Sequence, residues 1–478
     1  MLILWDDGSD SAAYDDACWA KVFNARRPKH RRPRAVTKAR SKGDVLTAVR
    51  LAIHLNLRVA VRSGGHSFET WSIQENSILV DLCEYKQVNV DPVGRIVTAT
   101  PSVTSREIND VLACEDLFFP GGHCPDVGLG GFLLQGGMGW NCARGDLQRK
   151  FLTLSQNWGW GCEFLQGVDV VTAQGTLIYC DTSQNSDLFW AARGGGPAFP
   201  GIVTRFHLRV MPCPQVIRSS CYVFPQTLYQ TAFRWAIALV DDLDTDTELT
   251  AKAYYQQSEP CFSIIFTTFK HNIHDAMRAL QPIQDSRPAG TLWEGFCTPE
   301  SMSSLYAVQA SANPKDHRYT VDSGFLVDDS DIDIVSVLAG TFLTLPHEKS
   351  HAFWTPMRPW SRRKIPEMAL SLQADYYFAV YTIWEDESDD ERCQGWLRWV
   401  MKNAARSCVG AYVGDSEFSN RRTRYWSRPS TERLMEIRGK WDPQGRIAGG
   451  YPDTLIHSHC RCCTMVGEDP DIMENCNK

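Results

Sequence analysis

Between Gly121 and Gly139 the chain carries eight glycines in nineteen residues, in the run Pro120-Gly121-Gly122-His123-Cys124-Pro125-Asp126-Val127-Gly128-Leu129-Gly130-Gly131 and its continuation through Gly136, Gly137 and Gly139. Such a run costs backbone entropy and is expected only where main chain must pack closely against something. A dinucleotide fingerprint would need a glycine three places after Gly130, but that position is Leu133. No Gly-Lys-Ser/Thr follows, so the run is not a triphosphate-binding loop either.

Two further glycine loops flank it. Arg62-Ser63-Gly64-Gly65-His66-Ser67-Phe68-Glu69 ends a β-rich run, and Arg193-Gly194-Gly195-Gly196-Pro197 follows the helix-like 187–192. Paired glycines let backbone amides converge on an anion, which suits a pyrophosphate. The same letters fit a tight turn with a surface histidine, and the first loop alone does not separate the two.

The 478 residues exceed what one core usually organises. A 43% hydrophobic and 22% charged composition is that of a globular protein, and a net charge of −7 argues against a nucleic-acid partner. The basic run from Arg26 to Arg40 reads as a solvated face. The N-terminus is too short and acidic for a signal peptide, and no stretch has the roughly 18 apolar residues of a membrane span, so a soluble cytoplasmic or other intracellular protein is expected. Seventeen scattered cysteines do not resemble a disulfide framework.

Along the chain, strands are expected at 34–39, 57–65, 77–82, 95–100 and 202–210, with a hairpin over 167–180 turning at Gln174-Gly175. Helices are expected at 41–56 and at 105–113, the second capped by Ser105 with Asn109 and Asp110 outward. After Pro212 and Pro214 the texture changes to aromatic strands such as 261–269 and 376–384, which read as an antiparallel sheet in a second α+β domain. A final helix over 430–443 is expected behind Ser430.

The motifs RSGGHSFE (62–69), HCPDVGLGG (123–131), VDVVTAQG (168–175), DLFWAARGGG (187–196) and GIVTRF (201–206), in this order and spacing, resemble the berberine-bridge-enzyme-like flavoproteins with the vanillyl-alcohol-oxidase fold, and most closely their fungal secondary-metabolism type. The resemblance implies an α+β chain with a two-part PCMH-type FAD-binding domain over 1–213, a substrate-binding domain with an antiparallel sheet over 214–405, and a segment 406–478 that returns to the FAD domain and ends in an unmatched tail. It implies FAD bound covalently at His66 and also at Cys124. Further contacts fall on Arg62, Ser63, Gly64, Gly65 and Ser67 in the first loop. Others fall on Pro125, Val127, Gly128, Gly130, Gly131, Gly136 and Gly137 in the second, and on Val170 and Ile202. An imidazole and a thiolate are the side chains that chemistry requires. A surface or hydrogen-bonding role is expected of His123.

The resemblance further implies an oxidase that moves a hydride from a small metabolite to the flavin, with molecular oxygen forming hydrogen peroxide. Alternatives are a flavin-dependent non-redox cyclase and an impaired flavin-binding homologue. For the base, Tyr412, Asp415, Tyr377 and Tyr381 are the candidates. Tyr377 and Tyr381 share one face of a strand by period two, although aromatic cross-strand packing explains them equally. The aromatic content of the second domain favours a planar or phenolic substrate over a sugar. Two stretches depart from the family: 143–157 reads as an insertion, a true loop or an unspliced segment, and the family's Tyr-x-Asn pattern has Gly414 in place of the asparagine. The tail cluster Cys460-Arg461-Cys462-Cys463 lacks a second paired set, so no metal is expected.

Overall fold

The structure is a computed structural model that describes residues 2–6, 11–142, 158–358 and 360–449. The stretch 143–157 and the tail cysteines Cys460, Cys462 and Cys463 lie outside the described residues. Mixed helix and sheet are arranged around three principal sheets.

The first sheet has four strands in the spatial order Ile3–Trp5, Ala35–Lys38, Ser77–Asp81, Arg58–Arg62. The last three run parallel, and the helix Lys42–His54, capped by Ser41, makes the crossover between Ala35–Lys38 and Arg58–Arg62. Its apolar stripe of Val45, Ala48, Val49 and Ala52 is buried with Val59, Ile78 and Val80. The chain returns to this sheet at its far end. After the helix Arg428–Trp441, the Val59 N–H donates to the Arg446 carbonyl at 2.7 Å and the Ala448 N–H to the Val59 carbonyl at 2.8 Å.

The second sheet is antiparallel, with five strands in the order Val88–Asp91, Ile96–Ala99, Gly201–Arg209, Leu165–Thr172, Leu177–Cys180. The expected hairpin is its edge, and Gly175 in the turn has φ +72°.

The third sheet has eight antiparallel strands in the order Trp293–Glu300, Val216–Pro225, Glu259–Lys270, Thr247–Gln256, His351–Pro356, Tyr376–Trp384, Arg318–Leu326, Cys408–Gly410. Period-two alternation sorts its faces: Leu249, Ala251 and Ala253 are buried, with Phe233, Leu280 and Leu397 of the covering helices in the same core. Glu248, Thr250 and Lys252 point the other way, into the cleft described below.

Several local expectations change. The helix Ser105–Ala113 is capped by Thr104, not Ser105, through a reciprocal pair with Glu107. Ser105 instead accepts the Gly122 N–H at 2.9 Å. Asn109 is buried rather than outward, because its amide pairs with both the N–H and the carbonyl of Phe119 at 2.9 and 3.0 Å. The last helix opens at Arg428 behind Ser427, since Pro429 is compatible with a first turn. The basic run is no simple solvated face: Arg26 meets Glu417 and Arg31 bonds to Glu69.

Candidate active site

Between the glycine loops and the open face of the eight-stranded sheet lies a cleft of about 440 Å³. One wall is the turn that follows the strand Arg58–Arg62. Gly64 is there because the turn touches the second glycine run: a Cβ on it would sit 2.8 Å from the Gly128 backbone nitrogen. Gly65 has φ +75°, and a Cβ there would collide with the Lys21 carbonyl oxygen at 1.8 Å. Among the described residues, the N–H groups of Ser63, Gly64, Gly65, His66 and Ser67 donate to no protein acceptor. Five successive amides without partners beside a cleft form a concave donor set for an anion such as a diphosphate.

His66 leaves this turn and stacks on Phe23, ring centroids 4.5 Å apart at 21°. Burial holds its pKa down to about 4, so the imidazole is neutral at physiological pH and keeps a free nitrogen lone pair. Cys124 lines the same cleft, and burial pushes its thiol up to about 12, with the Asp415 charge adding to the rise and Lys252 opposing it.

The four candidates for the base form one cluster. Tyr377 Oη donates to Asp415 Oδ2 at 2.7 Å, and the nearby Tyr381 hydroxyl also favours the ionised form of that carboxylate. The Tyr412 ring meets Tyr377 edge-on at 6.2 Å, and its hydroxyl accepts the N–H groups of Gly137 and Met138, each at 3.2 Å. Burial raises the Asp415 pKa against the stabilising effect of Tyr377 and Tyr381, and raises all three tyrosines above their ordinary value. Tyr381, Tyr412 and Asp415 line the cleft, while Tyr377 stands behind Asp415.

The other residues singled out in the sequence divide. Arg62, Ser63, Gly64, Gly65, Ser67, Pro125, Val127, Gly128, Gly130, Gly131 and Ile202 all line the cleft. The Arg62 guanidinium, however, is spent on Asp81 and the Ala17 carbonyl, each at 2.7 Å. Gly136 and Gly137 do not line it; they shape the turn that bonds Tyr412. Val170 is buried in the second sheet and does not reach it. His123 Nε2 lies 3.1 Å from Glu248 Oε1, and Glu248 Oε2 accepts the Asn141 N–H at 2.6 Å.

Sequence reasoning did not single out Glu248, Thr250, Lys252, His351 or Phe353, all of which line the cleft. The signal was available: in Thr247–Gln256 polar side chains occupy every second position against Leu249, Ala251 and Ala253. Only the fold turns that face inward.

Residues 33–181 match the family described as FAD binding domain. The chain is 37% identical over 455 residues to the FAD-linked oxidoreductase janO of Penicillium janthinellum, covering 94% of this chain and 97% of that one. To the FAD-linked oxidoreductase nodO of Hypoxylon pulicicidum it is 36% identical over 451 residues, with the same two coverages. The fold superposes on the structure of Physcomitrella patens BBE-like 1 with a TM-score of 0.77 at 18% identity, over 93% of this chain and 95% of that one. The open amide turn fits the cofactor that this family binds, and with near full-length relatedness to fungal oxidoreductases the chain belongs to the berberine-bridge-enzyme-like, PCMH-type FAD-linked oxidoreductases.

Proposed function

We propose that this protein is an oxidase that holds FAD covalently through His66 and Cys124 and oxidises a small, aromatic or phenolic metabolite of fungal secondary metabolism. The observation that carries the reading is that His66, Cys124, Tyr381, Tyr412 and Asp415 line a single cleft. The turn 63–67 supplies the diphosphate donors. His66, neutral through burial, supplies one nucleophile, and the Cys124 thiol, once ionised, supplies the other. When bound, the flavin supplies a two-electron acceptor that molecular oxygen restores with formation of hydrogen peroxide.

The protein's own contribution is proton transfer and positioning. Of the cluster, Asp415 is the group suited to take a proton near neutral pH, because its carboxyl is raised by burial while the three phenols lie above their ordinary value. Tyr377 holds the carboxylate from behind, and the proton of a substrate hydroxyl or N–H passes to Asp415 directly or through Tyr381. His351, Tyr381 and Phe353 give the cleft a near-parallel set of rings, with His351 and Tyr381 stacked at 4.8 Å and Phe353 and Tyr381 at 6.0 Å.

The test is mass spectrometry of peptides from the purified yellow protein. The expected result is one FAD mass joining the peptides that contain His66 and Cys124, reduced to a single attachment in His66→Ala or Cys124→Ala. Both peptides at unmodified mass would refute the tether. Absence of peroxide on turnover with consumed oxygen would refute the oxidase.

A further inference from the structure

Among the described residues, three lysine or arginine side chains line the cleft: Arg62, Lys252 and Lys315. Arg62 is neutralised by Asp81 at 2.7 Å, and Lys315 by Asp126 at 2.9 Å. Lys252 differs. Among the described residues its ammonium has no hydrogen bond and no ion pair, and it lies 5.8 Å from the centroid of the Tyr254 ring.

The lining carboxylates are committed elsewhere. Glu248 is held by His123 and the Asn141 N–H, Asp126 by Lys315 and Arg106, and Asp415 by Tyr377 and Tyr381. His351, pushed well below its ordinary pKa by burial and by Lys252, carries no charge to offset. The Cys124 thiol is the remaining electrostatic partner of Lys252, and as a thioether it would hold no charge. Burial lowers the Lys252 pKa to about 8, so the side chain is still an ammonium at neutral pH, and a ligand that supplies a negative charge offsets the cost of its burial.

The flanking surface says what kind of ligand. Lys252 stands directly across from Phe353 in the sheet register, and Phe353 is nearly parallel to Tyr381 at 18°. A cation beside flat rings recognises a planar aromatic group that bears a negative oxygen.

We propose that Lys252 is a specificity-determining residue that anchors the anionic oxygen of an aromatic substrate, a carboxylate or an ionised phenol, while its ring lies against Phe353 and Tyr381. This rests on the reading of the cleft as the substrate site of a flavin oxidase, and it narrows the substrate class to aromatic anions.

The experiment is calorimetric titration of the purified FAD-loaded protein with benzoate and with the uncharged, equally shaped benzamide, in the native protein, Lys252→Met and Lys252→Arg. Peptide mass spectrometry of the same preparation reads the FAD attachment separately, so loss of the tether and loss of anion binding are distinguishable. The native protein is expected to prefer benzoate by about ten- to hundredfold, the gain of a hydrogen bond to a charged group. K252M removes the preference and leaves benzamide unchanged, and K252R retains it. Equal binding of the two probes by the native protein would overturn the proposal, as would a benzoate preference that persists in K252M. Should K252M fail to fold, Lys252→Gln takes its place with the same two outcomes.

Discussion

Tyr377 Oη and Asp415 Oδ2 are 2.7 Å apart, and this bond joins the strand Tyr376–Trp384 of the large sheet to the segment that leads back towards the glycine loops. The sequence makes both candidates for the base without choosing between them. Together, buried, they make a carboxylate whose orientation is held by a phenol and whose pKa is raised by its surroundings.

If Asp415 is the base, Asp415→Asn lowers turnover by about 10²- to 10⁴-fold, the usual contribution of a positioned base. The native rate rises with pH as Asp415 loses its proton, and because burial raises that pKa the rising limb lies above the ordinary carboxylate range. The limb is absent in D415N. Rate–pH profiles of both proteins check this, and an unchanged limb in the variant removes Asp415 from the role.

Arg62 and Asp81 form a buried ion pair under the first glycine loop. Arg62→Met strands Asp81 in the interior and is expected to cost about 3–5 kcal/mol. The Asp81 pKa is lowered in the fold, against its burial, by Arg62 and by hydrogen bonds from Arg62 and Cys83. Its stabilisation is therefore complete above the unfolded value and is lost as pH falls through the folded one. Urea titrations across the acid range should show that loss in the native protein and a weaker one in R62M.

Two glycine-to-alanine changes should act in opposite directions. Gly64→Ala drives a Cβ to within 2.8 Å of the Gly128 nitrogen and is expected to destabilise by about 1–3 kcal/mol. Gly43→Ala, in the first turn of Lys42–His54, meets only the Ser41 hydroxyl at 3.6 Å and should stabilise by about 0.4–1 kcal/mol through the unfolded chain. Thermal unfolding of the pair is the check, and equal shifts would contradict the close approach of the loops.

Glu417 is buried against Arg26, accepts the Val321 N–H at 2.9 Å and feels the Glu69 charge, and its pKa rises to about 7 because burial outweighs the Arg26 attraction. The folded state then holds a proton that the unfolded chain has lost, so this residue makes stability fall as pH rises from the ordinary Glu range to about 7. Glu417→Gln should flatten that slope. Denaturant midpoints at matched pH values measure it, and an identical slope would place the titration on another group.

The local elements were legible because their causes are local. Ser41 and the stripe of Val45, Ala48, Val49 and Ala52 define one helix, and Gln174-Gly175 defines one turn. Asn109 was misread for the converse reason: an amide on a helix reads as polar surface, and only the approach of Phe119 gives it buried partners. The cap falls at Ser427 rather than Ser430 because the helix begins one turn earlier, with Pro429 inside its first turn.

The sequence by itself determined the glycine loops, their order, the histidine and cysteine beside them, and hence the flavoprotein family, because backbone conformation and motif spacing are written in consecutive residues. Tertiary structure decided which face of Thr247–Gln256 looks inward, that Arg62 turns away to Asp81, and that Lys252 meets the cleft without a counter-ion among the described residues. Those outcomes depend on which distant strands pair and which charges meet. Alternation along a strand leaves the choice of face open until the sheet has something to cover it.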